Sequence, residues 1–301
     1  MIGYLFLGIA LLSGSVKGYC GKKSGGGLTH SSDAMLINAV RMLFCIFIGL
    51  TLVTLPHGFQ ALRVDGPLLA ISLLSGAGTA FFTVTWLLSV RKGAYMMVDV
   101  FLLIGVMLPM LLCFFLFNEP IRPVQWLGML LLLVAGLVMC TYNASIKGKM
   151  TPTSLLLLTL CALSNGVTDF SQKLFVKTLP EDDPAVFNLY TYAFAALILG
   201  ICFLLLRRKE RNAPDLQAPR QILRPIIGYV AVMAVCLFLN SYFKTLAASH
   251  LTATQLYPLN QGGSVILSML MSAILFRERI HARCVAGVTI SFVALLMITL
   301  L

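Results

Sequence analysis

"LFNEPIRPVQWLG", residues 116–128, and "LFRERIHARCVAG", residues 275–287, are two versions of one pattern. At a shift of 159 positions the two stretches share a Leu-Phe pair and then Glu119 with Glu278, Ile121 with Ile280, and Gly128 with Gly287. In each stretch a single polar residue separates a long apolar run from the acidic residue, and another apolar run follows. The repetition predicts that an equivalent corner occurs twice in the folded chain.

A second pair of similar stretches precedes these corners. "LSGSVKGYCGKK" (residues 12–23) aligns with "LSNGVTDFSQKL" (residues 163–174) at a shift of 151, and Lys22 then matches Lys173. Both pairs occur in the same order along the chain. The sequence therefore predicts two related halves, residues 1–145 and residues 151–301.

The composition indicates that these halves lie in a lipid bilayer. Of the 301 residues, 59% are hydrophobic and 11% are charged, whereas soluble domains carry about 25% charged residues. A membrane-crossing helix needs about 20 apolar residues. Ten segments qualify, near 2–20, 33–55, 67–89, 94–117, 122–142, 152–178, 185–206, 222–247, 252–276 and 282–301.

Five predicted spans fall in each half. Because five is odd, the second half enters the membrane from the side opposite to the first, which is the arrangement of an inverted repeat. The predicted fold is therefore all-α: a polytopic membrane protein with ten transmembrane helices arranged as two inverted five-helix repeats.

Two five-span halves, each with a Phe-x-Glu-x-Ile corner between its fourth and fifth spans and a Gly nine residues after the Glu, resemble the EamA-like branch of the drug/metabolite transporter superfamily. The resemblance covers nearly the whole chain. It implies two EamA-like repeats and a transporter with a central cavity lined by spans one, three, four, six, eight and nine. Within the corners, Glu119 and Glu278 are expected to brace helix ends rather than contact a solute.

Lysine and arginine residues are unevenly distributed among the predicted loops. Fifteen lie in odd-numbered connections, and four lie in even-numbered ones or at the adjoining helix ends: Arg63, Arg122, Lys177 and Lys244. The positive-inside rule then predicts that the odd-numbered loops are cytoplasmic in a multi-pass protein of the cell membrane. Because the net charge of +11 is divided among turns, we do not expect a nucleic-acid surface.

Ionisable residues inside the predicted spans are costly and mark functional sites. Lys17 and Asp99 are predicted at similar depth near one membrane face, with Arg41 as a competing partner for Asp99. Asp169 and Lys173 share a face of span six, and Lys244 approaches the same membrane side. We hypothesise that two clusters gate a cavity, one at each mouth, from Lys17, Asp99, Asp169, Lys173 and Lys244. In the alternative, the lysines extend to lipid headgroups and Asp169 pairs locally with Lys173.

Polar and aromatic residues in the spans complete the predicted cavity. Span nine contains "TQLYPLNQGG" (residues 254–263), which we expect to be a helix broken by proline and glycine. The cavity candidates are Lys17, Arg41, Trp86, Tyr95, Asp99, Asp169, Asn240, Tyr242, Gln255, Tyr257, Asn260 and Gln261. Together they favour a small solute with polar and apolar parts, amino-acid-like in character, over a phosphate ester, for which an arginine cluster is expected.

The sequence lacks the motifs that are typical of other functional classes. Lys22 is followed by Lys23 rather than by a hydroxyl residue, which excludes a P-loop, and neither HExxH nor GxSxG occurs. The cysteines and histidines lack metal-ligand spacing. We therefore expect no enzyme, no cofactor and no metal. The partners are a small-molecule substrate, the lipid bilayer and, as an open question, a coupling proton or ion. The competing hypothesis is a structural or sensory membrane protein without transport.

Overall fold

The computed structural model describes residues 1–25, 30–62, 65–92, 95–144, 152–211, 218–274 and 282–300. These residues form α-helices and one short 3₁₀ turn, and no strand occurs among them. The α-helices are α1 (Ile2–Gly25), α2 (Ser31–His57), α3 (Gly66–Lys92), α4 (Tyr95–Gly105), α5 (Met107–Phe117), α6 (Pro123–Ala144), α7 (Pro152–Thr178), α8 (Pro184–Lys209), α9 (Pro219–Leu223), α10 (Ile227–His250), α11 (Ala253–Ile274) and α12 (Ala282–Leu300).

Proline marks the start of several helices. Its fixed φ suits the first helical position, where the missing N–H needs no partner. The helices that begin on a proline are α6, α7, α8 and α9, at Pro123, Pro152, Pro184 and Pro219. At α8 the carboxylate of Asp183 also caps the helix by accepting from the backbone N–H of Ala185 at 2.8 Å.

Six of the described helices are long and apolar enough to cross a membrane: residues 2–21, 31–56, 66–89, 152–178, 184–209 and 227–250. Three shorter apolar helical stretches cover residues 101–117, 123–135 and 285–298. Their outward faces expose large apolar side chains, among them Phe47, Leu55, Phe115, Leu137 and Leu204. Such surfaces suit lipid, and the chain is an integral, multi-pass membrane protein.

The predicted fourth span, 94–117, is not one continuous helix. It divides at Val106 into α4 and α5. Pro109 lacks the N–H that would bond to the carbonyl of Gly105, which explains a break at this level. Gly105 also packs closely on α7, since a Cβ atom there would lie 2.5 Å from the carbonyl oxygen of Ala162. Small residues allow such close helix approach in membranes.

The prediction of a broken ninth span is wrong. α11 continues through Pro258 from Ala253 to Ile274. Its two glycines serve close packing instead: side chains at Gly262 and Gly263 would collide with Leu295 of α12 and Leu11 of α1. A single missing N–H is tolerated because the neighbouring helices hold α11 in place.

The two halves of the chain interleave. The most extensive packing joins α1 to α10, α2 to α8, α3 to α7 and α6 to α12. In each of these pairs, one helix precedes residue 145 and the other follows residue 151. The core therefore lies between the halves rather than within either one.

The close approach at Gly105 generates a stability prediction. Gly105→Ala should lower stability by about 1–3 kcal/mol, because the added methyl group forces α4 away from the backbone of α7. The measurement is the thermal midpoint of the detergent-solubilised protein. Gly200→Ala on α8 is the matched control, since a Cβ there meets no atom within 4 Å. Equal effects of the two substitutions would contradict the packing argument.

Candidate functional site

A cavity of about 60 Å³ lies where the two halves meet. α1, α3 and α4 contribute one part of its wall, and α7, α10 and α11 contribute the other. The lining residues are Leu11, Gly14, Lys17, Gly18, Phe82, Trp86, Leu102, Asn165, Asn240, Lys244, Asn260, Gln261 and Ser264. These six helices correspond to spans one, three, four, six, eight and nine of the sequence prediction.

The cavity brings together about half of the residues singled out from the sequence. Lys17, Trp86, Asn240, Asn260 and Gln261 line it, as does Lys244, which the sequence placed among the gating candidates. The sequence analysis missed Asn165, although this residue lies in the duplicated stretch and one helical turn before Asp169. That spacing was the available signal, since residues four apart share a helix face.

A buried ion pair adjoins the cavity. The Lys244 Nζ lies 2.5 Å from the Asp169 Oδ1, and the Asn165 Nδ2 donates to the Asp169 Oδ2 at 3.2 Å. The Tyr257 hydroxyl donates to the backbone carbonyl of Asp169 at 2.6 Å. Asp169 thus ties α7 to both α10 and α11. The local pairing of Asp169 with Lys173, which was part of the alternative hypothesis, does not occur: Lys244 is the partner of Asp169 across the helix interface, and Lys173 pairs with Glu119.

A second cluster surrounds the turn between α5 and α6. We call Glu119, Lys173, Lys177 and the α10–α11 turn the Glu119 cluster. The Glu119 Oε1 lies 3.4 Å from the Lys173 Nζ and 3.3 Å from the Lys177 Nζ, and the Glu119 Oε2 accepts from the backbone N–H of Ala253 at 2.9 Å. Lys173 also donates to the carbonyls of Ala248, at 3.0 Å, and Leu251, at 2.6 Å.

The local backbone explains how Glu119 reaches this position. Asn118 ends α5 in the left-handed conformation, with φ of 52°, which asparagine tolerates better than most residues. The chain therefore turns sharply just before Glu119. From there the carboxylate caps the start of α11, where orphan N–H groups and the helix dipole favour a negative charge.

Burial decides between the two sequence-based views of the lysines. Lys173 and Lys244 are 3% and 6% exposed, and both have partners inside the bundle. The alternative in which these two side chains extend to headgroups is therefore wrong. A gating role for the clusters stays a prediction.

Several predicted cavity residues lie outside the lining. Gln255 caps the start of α11, where its Oε1 accepts from the Thr252 N–H at 3.5 Å. The Tyr257 hydroxyl donates its hydrogen bond to the Asp169 carbonyl. The ring of Tyr242 packs against Phe238 and Phe243. Arg41 is buried on α2 beside Cys45 and Tyr192. These residues do not contribute to the cavity surface as predicted.

Three predicted residues lie outside what the structure describes. The backbone of α4 includes Tyr95 and Asp99, but their side chains are not part of the description, and Glu278 falls in the undescribed residues 275–281. The proposed Lys17–Asp99 pair and the second corner therefore stay predictions. Within the described ranges, no group of three or more His, Cys, Asp or Glu side chains could hold a metal ion.

Comparison with known proteins identifies the class. Residues 152–300 match the EamA-like transporter family. The second half of the chain carries this family's domain, which supports a membrane transporter of the drug/metabolite transporter superfamily. A solved structure described only as "Crystal structure of protein" aligns over 99% of this chain and 96% of its own, with a TM-score of 0.70 and 15% identity. This likeness concerns the fold alone. No curated protein sequence matches the chain.

The Asp169–Lys244 pair predicts an asymmetric mutational response. Lys244→Met should destabilise the protein by about 3–5 kcal/mol, because it leaves a carboxylate buried without its cation. The double variant Asp169→Asn with Lys244→Met should recover most of that loss, since no uncompensated charge then remains. The readout is the thermal midpoint in detergent. A double variant less stable than Lys244→Met alone would contradict this account.

Glu119 predicts a pH dependence. Burial opposes its ionisation, but the Ala253 N–H and the two lysines outweigh burial and hold the pKa of this carboxyl below its ordinary value of 4.5. A lowered pKa in the folded state stabilises the protein above pH 4.5, and the gain is lost as the pH falls through the folded value. The wild type should therefore exceed Glu119→Gln in thermal midpoint at pH 7, with the gap closing in acid. A gap that persists unchanged below pH 3 would contradict this.

Proposed function

We propose that the chain is a secondary transporter that moves a small organic solute across the cell membrane by alternating access. In this proposal ten spans form two inverted five-helix repeats, residues 1–145 and 151–301, around the cavity. The match of residues 152–300 to the EamA-like transporter family supports the general class.

The observation that carries the proposal is the presence of unpartnered amide groups on the cavity wall. The Asn260 Oδ1 and the Gln261 Nε2 are buried and have no hydrogen-bond partner among the residues that the structure describes. Buried polar groups are nearly always paired, and an exception calls for water or a ligand. A purely structural bundle gains nothing from such groups, whereas a solute site uses them.

The packing supports an inverted repeat. If the two halves are exchanged, α1 takes the place of α7, α2 that of α8, and α3 that of α10. The α1–α10 contact then becomes the α7–α3 contact, and the α3–α8 contact becomes the α10–α2 contact. The same exchange converts the packing of α4 and α5 on α7 into that of α11 on α1. The pairs α2–α8 and α6–α12 are unchanged. A bundle of two equivalent halves around one axis has this property.

The Glu119 cluster supports alternating access. It joins a turn of the first half to the α10–α11 turn of the second half, and its Glu119 and Lys173 are buried. If this contact closes one mouth, the sequence alignment assigns Lys22 and Glu278 as the counterparts of Lys173 and Glu119 at the other mouth. The mouths would then open in turn as the halves rock against each other.

The cavity wall supports a solute with both polar and apolar parts. Amides of Asn165, Asn240, Asn260 and Gln261 offer donors and acceptors, and the rings of Phe82 and Trp86 offer an apolar surface. A cavity of 60 Å³ holds only about four or five water-sized centres, which favours a small solute and a largely closed conformation. An amino-acid-sized molecule fits this description. A coupling proton or ion remains an open part of the proposal.

The topology is proposed from charge. The odd-numbered loops carry most of the lysine and arginine residues and would face the cytoplasm. This orientation places both chain ends of the proposed ten-span arrangement on the outer side.

Reconstitution into liposomes tests the proposal. Purified protein screened by thermal shift against amino acids, sugars, nucleosides and cationic drugs should be stabilised by one class, and the same solute should then cross the membrane of proteoliposomes. Asp99→Lys should abolish that flux without preventing insertion. Gln261→Leu should reduce it, because the wall loses a donor.

Exposed Arg220→Gln, on the short helix α9, is the control and should transport normally. A structural or sensory protein, the competing hypothesis, would tolerate the neutralisation of Asp99, Asp169 and the nearby lysines and would carry no solute. Full transport by Asp99→Lys would remove that residue from the mechanism.

A further inference from the structure

The two halves of the chain contribute chemically different surfaces to the cavity. Among the described lining residues, every one from the second half is polar: Asn165, Asn240, Lys244, Asn260, Gln261 and Ser264. Those from the first half are hydrophobic or glycine, apart from Lys17, and the largest are Phe82, Trp86 and Leu102. We call the first surface, on α7, α10 and α11, the polar wall, and the second, on α1, α3 and α4, the apolar wall.

Hydrogen bonds inside the protein fix the orientation of two amides on the polar wall. The Asn240 Nδ2 donates to the carbonyl of Ala10 at 2.6 Å, and the Asn165 Nδ2 donates to the Asp169 Oδ2 at 3.2 Å. Because a backbone carbonyl and a carboxylate only accept, the NH₂ groups of both amides must point toward them. The Oδ1 atoms of Asn165 and Asn240 are therefore left as acceptors.

Two further amides on the polar wall have atoms without a partner. Asn260 and Gln261 are 9% and 4% exposed, and within the described part of the chain nothing bonds to the Asn260 Oδ1 or the Gln261 Nε2. The polar wall thus carries amide oxygens that need an N–H donor, together with an amide NH₂ group that needs an acceptor. Since buried polar groups are nearly always paired, a bound group should supply both.

We infer that the polar wall is a subsite for an uncharged carboxamide-type group of the transported solute. The N–H groups of the solute donate to the asparagine oxygens, its carbonyl accepts from the Gln261 Nε2, and the rest of the molecule lies against Phe82 and Trp86. The inference rests on the proposed transport function and specifies its substrate class: a small amide with an apolar or ring-shaped body.

The match of donors and acceptors favours this group over charged ones. A carboxylate only accepts, so it would leave the asparagine oxygens without a donor. An ammonium group only donates, so it would leave the Gln261 NH₂ group without an acceptor, and Lys244 lines the same wall. Each buried polar group that a solute leaves unpaired lowers its affinity. A carboxamide carries both kinds of group side by side.

A panel of matched compounds tests the inference on the wild-type protein. The probes are benzamide and propionamide, each compared with the methyl ester, the carboxylate and the amine of the same carbon skeleton. At least one amide should raise the thermal midpoint of the detergent-solubilised protein more than its analogues do. Equal or stronger stabilisation by an analogue, or no stabilisation by either amide, would overturn the inference. This comparison does not depend on the folding of any variant.

Two substitutions separate the acceptor from the donor. Asn260→Leu removes an oxygen that only the N–H groups of the amide use, so it should lower the amide affinity on the order of 3- to 10-fold and leave the ester affinity unchanged. Gln261→Leu removes the donor to the carbonyl, which both compounds contain, so it should weaken amide and ester alike. Gln60→Leu, at an exposed position after α2, is the control and should change neither. An amide-to-ester ratio that Asn260→Leu leaves unchanged would overturn the inference.

Flux measurements separate this inference from the transport proposal. If proteoliposomes carry a carboxylate or an amine while neither amide binds, the subsite is wrong and the transporter stands. If wild type binds an amide with the expected response to Asn260→Leu but accelerates the entry of no compound over protein-free liposomes, the subsite stands and the transport proposal fails.

Discussion

A charge between lipid-facing helices must find its partner inside the bundle, and this constraint organises the interior of the protein. The outer faces carry leucine, valine and phenylalanine, so water is not available there to solvate an ion. Lys244 meets Asp169, and Lys173 meets Glu119 and two backbone carbonyls. Each of these contacts joins separate helices. The ion pairs therefore determine which helix ends lie together, although they contribute less to net stability than their number suggests.

The interleaving of the halves gives these contacts their positions. Because α1 packs on α10 and α3 packs on α7, the interior surface belongs to both halves, and the polar groups of each half face those of the other. The cavity lies on this shared surface. Glycines such as Gly105 and Gly262 bring the backbones close enough for the arrangement to form. Side chains at these positions would push the helices apart and enlarge the space between them.

The cavity differs from the ion pairs in one physical respect: its polar groups are not all partnered. Among the described residues, Asn260 and Gln261 keep unpaired atoms on its wall. The paired charges hold helices together, whereas unpaired groups are available to a solute. In the proposed mechanism, the first set maintains the bundle and one closed mouth, and the second set recognises what passes between the mouths.

The sequence by itself determined the elements of this structure, because apolar length and proline position are local properties. The apolar segments, the family and the acidic corner at Glu119 could all be predicted from residues close together in the chain. The partners of the charged residues could not be predicted in this way. Lys244 is 75 positions from Asp169, and Ala253 is 134 positions from Glu119, so the sequence could offer only the nearby Lys173 as an alternative partner for Asp169.

Helix continuity was also decided by the tertiary structure. The same kind of signal, a proline within an apolar run, accompanies a break near Pro109 but not at Pro258, since the packing of neighbouring helices determines whether a missing hydrogen bond interrupts the helix. Asn165 was missed for a related reason: its role depends on α10, which brings Lys244 to the same carboxylate. Sequence position specifies which side chains a helix carries, and only the packed bundle specifies which charges and amides are left without a partner.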